Sequence, residues 1–501
     1  MVARGGKMID FIANFPVLII IISLFGALLT PLIGWFRREL CNPWVSLVTF
    51  VQFLIALTLL HSVIDGGTIH YYLGNWEPPW GIEYVVDMFN AYVLCIISFI
   101  FFIVSIYSRK SVQHEMPGRV VPFYTLYLLL TMGLLGITIT GDIFNLYVFL
   151  EVSSLSAYAL ISVGDFKNAL MASFNYVIMG TISACFILLG IGYLYMVTGS
   201  LNMRDLSLLL PALYTSKVIL VAFAFFMVGF SIKVALFPLH TWLPDAYTTA
   251  PSAVSALVAA TFTKVGAYAM IRIMFSVFKP QFVIDFTATT NILAWVAAVA
   301  IIVGSVLAIA QFDIKRMLAY SSVSQIGYIV LGVGLANQLG MMGSVLHILN
   351  HALMKGGLFM VAGAIFYTSG IRNIYQFKGM AKKMPWTMGA FLILALSMIG
   401  IPPTVGFMSK WYLALGAIDA HMWVFVAVIL LSSLLNVVYF WRVFENVYFG
   451  HVPEDIVKIE VPLSMRIPII TAAILCIVLG LFAYLPLDNV IEPAVKLLLG
   501  R

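Results

Sequence analysis

The chain has 501 residues, of which 62% are hydrophobic and 10% charged, with a formal net charge of +6. Soluble domains carry about 25% charged residues, so this composition excludes a soluble catalytic domain. The excess of Lys and Arg reads as loop charge in a membrane protein and not as a nucleic-acid surface.

Apolar runs of roughly 20 residues, the length needed to cross ~30 Å of hydrocarbon, recur from end to end. They predict an all-α polytopic membrane protein with about 14 transmembrane helices. The opening MVARGGKMIDFIANF lacks a small-residue cleavage pattern and reads as a short tail, not a removed signal peptide. Spans one and two cover 16–34 and 43–62, and the polar, aromatic stretch 63–83 is predicted to form a hairpin capping one membrane face. Spans three to six follow near 84–107, 121–140, 143–163 and 169–197. The seventh, 218–250, is interrupted: Lys233 is followed by Pro238, His240, Pro244 and Asp245. Spans eight to eleven lie near 252–278, 289–311, 315–336 and 341–367. The twelfth, 386–418, is broken by Pro402–Pro403, and the last two run near 420–444 and 465–485. Cys41, Cys95, Cys185 and Cys476 are scattered along these spans, form no CxxC or Cys/His cluster, and read as apolar packing residues.

Two interrupted spans five helices apart point to a repeated five-helix unit with its site at the breaks. The backbone groups freed at a break must face a hydrated cavity or protein, not lipid; a simple proline kink is the plainer alternative. The expected divisions are residues 1–120 (three helices and an extracytoplasmic loop), 121–278 (first repeat, helices four to eight), 279–444 (second repeat, helices nine to thirteen) and 445–501 (the last helix). The loops after spans 1, 3, 5, 9, 11 and 13 hold fifteen basic residues against eight in the other loops and tails. That bias places these loops in the cytoplasm and both termini outside. Lys315 and Arg316 read as cytoplasmic anchors of the tenth span.

Four lysines remain inside the membrane, Lys233, Lys264, Lys355 and Lys410. Glu151 lies near the centre of the fifth span, with Tyr147 and Ser154 at helical spacing on its face. A mid-bilayer carboxylate costs several kcal/mol unless paired, hydrated or protonated, and its natural partner is a membrane lysine, in a functional or a purely structural pair. Lys264 sits among small residues in the eighth span; a lysine held between burial and a nearby carboxylate can load and release a proton near neutral pH, whereas arginine stays charged. His347, His351 and Lys355 are spaced i, i+4, i+8, a titratable stripe that reads as a proton wire or as packing histidines. No glutamate accompanies the histidines as in HExxH, so no metal is expected. Ser321, Ser322, Ser324 and Gln325 read as water-holding groups beside this stripe or as ordinary interhelical hydrogen bonds. Lys410 follows the second break. Asp142, His240 and Asp245 lie at span edges, where interfacial or capping roles fit as well as transport.

The segments GDIFNLYVFLEVSSLSAYAL, FSIKVALFPLHTWLPDAY, APSAVSALVAATFTKVGAYAMIR, DIKRMLAYSSVSQIGY and IPPTVGFMSKW together resemble the antiporter-like membrane subunits shared by respiratory complex I, Mrp-type cation/proton antiporters and membrane-bound hydrogenases. The resemblance covers nearly the whole chain. It implies fourteen helices with two inverted five-helix repeats, discontinuous seventh and twelfth helices, and a hydrophilic axis at mid-membrane. It also implies that Glu151 and Lys233 form a glutamate–lysine pair, that Lys264 is the central relay, that His347 and His351 connect the halves, and that Lys410 ends the second half-channel. A lysine at 410 resembles the D-type Mrp subunit and its hydrogenase relatives, since some complex I members have glutamate there. The chain ends soon after the fourteenth span and is expected to lack the long lateral helix of the largest complex I member.

The expected function is proton translocation, with or without sodium exchange, by one subunit of a larger complex in the cell membrane. The expected partners are other membrane subunits. No nucleotide loop, haem motif or iron–sulfur motif is present, so no cofactor is expected and redox chemistry falls to those partners. Two other classes compete: a stand-alone transporter of an organic solute, which would transport as a purified single chain, and a structural subunit, in which removing charges would affect assembly alone.

Overall fold

The structure, a computed structural model, describes residues 13–164, 167–450 and 458–500; most of the N-terminal tail, with Arg4 and Lys7, and Arg501 lie outside them. The spanning helices are α1 (Phe15–Phe36), α2 (Cys41–Gly66), α3 (Met88–Glu115), α4 (Val120–Ile139), α5 (Ile143–Ser162), α6 (Ala169–Thr198), the broken α7a (Lys217–Lys233) and α7b (Trp242–Thr249), and α8 (Ser252–Ile271). They continue with α9 (Thr289–Ile309), α10 (Ile314–Leu335), α11 (Gln338–Ser369), the broken α12a (Pro385–Ile399) and α12b (Val405–Asp419), α13 (Trp423–Phe444) and α14 (Leu463–Leu481). Among the described residues, 12 uninterrupted helices are long and apolar enough to span; with the two broken ones they make the expected set.

The polar stretch after α2 forms the predicted hairpin, β1 (Ile69–Tyr72) paired antiparallel with β2 (Glu83–Val86). Short helices absent from the hydropathy reading fill the loops, such as Met203–Leu209 after α6 and Glu492–Leu498 after α14. Helix α8 runs on as a π-helix over Arg272–Val277.

The repeat is visible in backbone hydrogen bonding. Asp142 caps α5 by accepting from Asn145 N at 2.7 Å, and Asp313 caps α10 by accepting from Arg316 N at 3.1 Å. Asp142 bridges to Asn202 just after α6, and Asp313 bridges to Asn373 just after α11, each antiparallel. The pairs Ile143 N to Leu201 O and Met203 N to Gly141 O recur as Ile314 N to Arg372 O and Ile374 N to Phe312 O. A unit of five spans must enter its second copy from the opposite face, so the repeats are inverted. The first bridge therefore shares a face with the hairpin, where Tyr84 bridges Thr140, and the second lies on the other.

Helices α8, α10 and α11 form the interior, each 94% buried over its most apolar window, whereas α1, α13 and α14 are only 33% buried there. Outer helices meet lipid or neighbours with Leu, Phe and Trp. The inner helices can therefore hold polar groups away from hydrocarbon, and those are the helices that carry the histidines and Lys264.

A line of buried cations through the two broken helices

Helix α7a ends at Lys233. The chain then turns through Ala235, whose φ of +57 lies in the left-handed region, to Pro238 and re-enters as α7b. Backbone groups in the break are matched internally: Leu236 N donates to Ser231 O at 3.0 Å, and the Trp242 indole donates to Ile232 O at 2.9 Å. Lys233 is buried and donates to Ser154 Oγ at 2.7 Å. Its ammonium also lies 5.9 Å from the Phe262 ring centre.

Glu151 stands one turn from Ser154 on α5. Its charge acts on Lys233 through space, but among the described residues the two form no hydrogen bond or ion pair, and its Oε1 is buried without a hydrogen-bond donor. The glutamate and lysine implied by the resemblance are thus near each other, but the hydrogen bond that Lys233 donates goes to the serine. Beside Lys233 lies a cavity of about 10 Å³, lined by Ser153, Phe262 and Gly266 among others, room for one water molecule at most.

Lys264 is 1% exposed, and its side chain turns back along α8 to donate to Ala259 O at 2.5 Å. Its charge acts on His347, His351 and Lys355 of α11, which packs against α8. The His347 ring bridges two helices, with Nε2 3.0 Å from Gln325 Oε1 and Nδ1 2.9 Å from Ser409 Oγ. It stacks on His351 at 5.9 Å between ring centres, and neither nitrogen of His351 has a hydrogen-bond partner among the described residues. Lys355 donates to Leu318 O at 2.8 Å and to Ser321 Oγ. The serine-rich face of α10 therefore divides: Ser321 and Gln325 touch the titratable stripe, while Ser324 bonds Ser305 across helices at 3.0 Å and Ser322 bonds Leu318 O.

Lys410 lies on the far side of its break from Lys233's position: Lys233 ends the first half-helix, and Lys410 sits in the second. Its ammonium donates to Met398 O at 3.0 Å, Ile399 O at 2.8 Å and Ser433 Oγ at 3.1 Å. It thereby satisfies carbonyls orphaned at the end of α12a, where the helix dipole favours a cation. The Tyr328 ring centre is 5.0 Å away, and Asn350 closes the break from α11 by donating to Val405 O at 2.6 Å.

The arrangement is a row of buried amines and imidazoles with hydroxyl and amide partners, crossing between the two breaks at mid-protein. Residues 140–436, which contain all of it, match the family described as NADH:quinone oxidoreductase/Mrp antiporter, transmembrane. The chain belongs to this family. Over 496 residues it is 46% identical to NADH-quinone oxidoreductase subunit N of Desulforudis audaxviator, covering 96% of this chain and 98% of that protein. It is 33% identical over 454 residues to the D-type Na(+)/H(+) antiporter subunit of Alkalihalophilus pseudofirmus, covering 88% and 90% respectively. A chain in the structure of the membrane-bound sulfane sulfur reductase, an archaeal respiratory membrane complex, superposes with a TM-score of 0.89 at 32% identity, covering 97% of each. The protein is thus a multi-pass, antiporter-like membrane subunit of this family, and its Lys410 sits in a chain similar to both the N-type and the D-type members.

Around this row, the sequence did not single out Tyr328, Ser409 and Ser433, which contact His347 or Lys410, nor Asn350 and Asn436, which donate to Val405 O and Met398 O at the second break. Polar residues scattered through apolar helices were the available signal. The edge residues have these surroundings in the structure. Asp142 is a helix cap. Asp245 pairs with Arg316 at 3.1 Å. His240 is buried between Phe237 and Tyr320. Lys315, expected as a cytoplasmic anchor of the tenth span, is 2% exposed: it donates to Ala250 O at 2.8 Å and Ser255 Oγ at 3.2 Å, because α10 begins beneath the end of α7b.

Proposed function

We propose that this chain carries protons across the cell membrane, with or without exchange for sodium, as one subunit of a larger membrane complex. Residues 121–278 and 279–444 would supply the two halves of the path, with the basic loops in the cytoplasm and both termini outside. The observation that carries the reading is the buried row Lys233, Lys264, His347, His351 and Lys410, joined at its ends to two helix breaks. An organic solute would need a pocket between the halves, whereas a row of single titratable groups suits a proton. A relative named as an Na(+)/H(+) antiporter subunit and another named as a quinone oxidoreductase subunit support assembly with other membrane subunits, which would supply any redox chemistry.

Glu151 would act as the control charge. Its negative field favours an ammonium at Lys233; withdrawing that field drives the proton toward Lys264. The imidazoles of His347 and His351 then pass it between the halves, and Lys410 delivers it beyond the second break. The test is transport by membrane vesicles holding the assembled complex with Glu151→Ala, Lys233→Ala or Lys264→Ala. Loss of transport with intact assembly supports the relay. Parental rates in all three would reject it, and loss of assembly without any change in transport per assembled complex would favour a structural subunit.

A further inference from the structure

A cavity of about 450 Å³ opens on the hairpin face, where the π-helical end of α8, the start of the hairpin and the short helix Glu492–Leu498 meet. That volume falls within the ~300–1,000 Å³ range of small-molecule sites and exceeds what a single inorganic anion fills. Its lining is divided. Thr68, Arg272, Ser276, Lys279 and Gln281 are polar, whereas Phe89, Phe275, Leu497 and Leu498 are apolar. Leu497, 65% exposed, stands at the rim.

Charge in this cavity is not balanced. Asp87 is the only acidic side chain among the described residues that line it, and both its oxygens are engaged. Its Oδ1 accepts from Asn90 N at 3.0 Å and Arg272 Nη2 at 2.9 Å, and its Oδ2 from Arg272 Nη1 at 2.6 Å. Arg272 also donates to Tyr268 Oη at 3.1 Å and Ser276 Oγ at 3.3 Å, so the pair is satisfied within itself. Lys279 is left over. It is partly buried, and no hydrogen bond or ion pair engages its ammonium among the described residues. Its φ of +65 lies in the left-handed region, disfavoured for any residue bearing a Cβ; the chain keeps a lysine where glycine would fit without that cost. The hydroxyls of Thr68 and Ser276 and the Gln281 amide likewise have no acceptor among the described residues. One uncompensated cation, beside neutral donors and apolar walls, suits a phosphate anion that carries an organic tail.

We propose that this cavity binds the headgroup of an anionic phospholipid. Lys279 meets the phosphate, the hydroxyls of Ser276 and Thr68 donate to its remaining oxygens, and the acyl chains leave along Leu497 and Leu498. The site is independent of the proton-carrying reading above, since it uses neither Glu151 nor any of the buried lysines. A headgroup seated here touches α8, the hairpin and the helix Glu492–Leu498 at once, so it fastens the last segment of the chain to the first repeat.

The experiment takes the complete complex in mild detergent, strips it of lipid, and titrates it with phosphatidylglycerol, phosphatidylcholine or inorganic phosphate. Native mass spectrometry counts the lipids bound, and the melting temperature follows stability. Lys279→Gln is expected to weaken phosphatidylglycerol binding about fivefold, the effect of one lysine near an anionic headgroup, and to retain one lipid fewer per copy of this chain at limiting lipid. Lys279→Arg should match the parent. Gln281→Trp, which narrows the mouth from an exposed position, should weaken binding with the charge unchanged. Without lipid, the parent and Lys279→Gln should melt together; with phosphatidylglycerol, the parent should melt higher. Unchanged phosphatidylglycerol binding in both Lys279→Gln and Gln281→Trp overturns the proposal. Equal binding of phosphatidylcholine also overturns it, leaving an apolar site, as does displacement of the lipid by inorganic phosphate, leaving a small-anion site. If Lys279→Gln instead releases another subunit, the cavity is a protein contact and the lipid reading falls. Should Lys279→Gln not accumulate in the membrane, Gln281→Trp decides alone.

Discussion

Lys233 donates its hydrogen bond to Ser154 at 2.7 Å, three residues along the helix face from Glu151. A hydrogen bond to a charged group is worth roughly 1.5–3 kcal/mol, about a factor of ten or more in how readily Lys233 holds its proton. Ser154→Ala should therefore slow transport about tenfold at alkaline pH and recover as the pH falls and protons become plentiful. Ser154→Thr should behave as the parent. A pH profile of vesicle transport that is unchanged in Ser154→Ala would show that the contact is incidental.

Gly400 has φ of +92, and a Cβ there would come within 3.0 Å of the Lys410 side chain. Gly400→Ala should cost about 1–2 kcal/mol of backbone strain and also push Lys410 off the carbonyls of α12a. Both thermal stability of the solubilised complex and transport are expected to drop. Gly389→Ala, at a helical glycine with open space around it, should change neither, which separates a local effect from general sensitivity of the fold.

The two histidines should respond differently to removal. His347→Leu leaves Gln325 and Ser409 without their partner, at about 1–3 kcal/mol for buried polar groups. His351→Leu breaks no hydrogen bond among the described residues, so it should melt close to the parent while still lowering transport. Equal losses of stability in the two variants would contradict this division.

On the hairpin face, Asp87 and Arg272 form a two-point pair at 2.6 and 2.9 Å. Burial alone would push the Asp87 carboxyl up, but the Arg272 guanidinium, with the N–H groups of Asn90 and Phe89, outweighs it and holds the carboxyl below its usual value. A carboxyl depressed in the folded state contributes stability that is full above the unfolded value of about 3.9 and is lost as the pH falls through the folded value. Asp87→Asn should thus cost ~3–5 kcal/mol at neutral pH by stranding Arg272. The difference from the parent should shrink below about pH 4, as melting curves across pH would report.

The spans and both interruptions were legible because each leaves a one-dimensional trace: a run of apolar residues, or prolines beside a lysine. Glu151, Lys264, His347, His351 and Lys410 stood out for the same reason, as charges or imidazoles where hydrocarbon should be. Lys315 did not, since a lysine next to an arginine at a helix start looks the same whether that end meets water or lies beneath another helix. The hydrogen bond from Lys233 to Ser154 was equally hidden: spacing along α5 places Glu151 and Ser154 on one face, but only the approach of α7a selects between them.

The matched bridges at Asp142–Asn202 and Asp313–Asn373 have a mechanical consequence. In each repeat the second and third helices are joined by the chain at one end and by backbone hydrogen bonds at the other, so α5 with α6, and α10 with α11, form closed hoops. A hoop cannot splay at either end. Whatever opening the transport cycle requires must then be taken up by the helices outside the hoops, and the two that are already cut in half bend most cheaply.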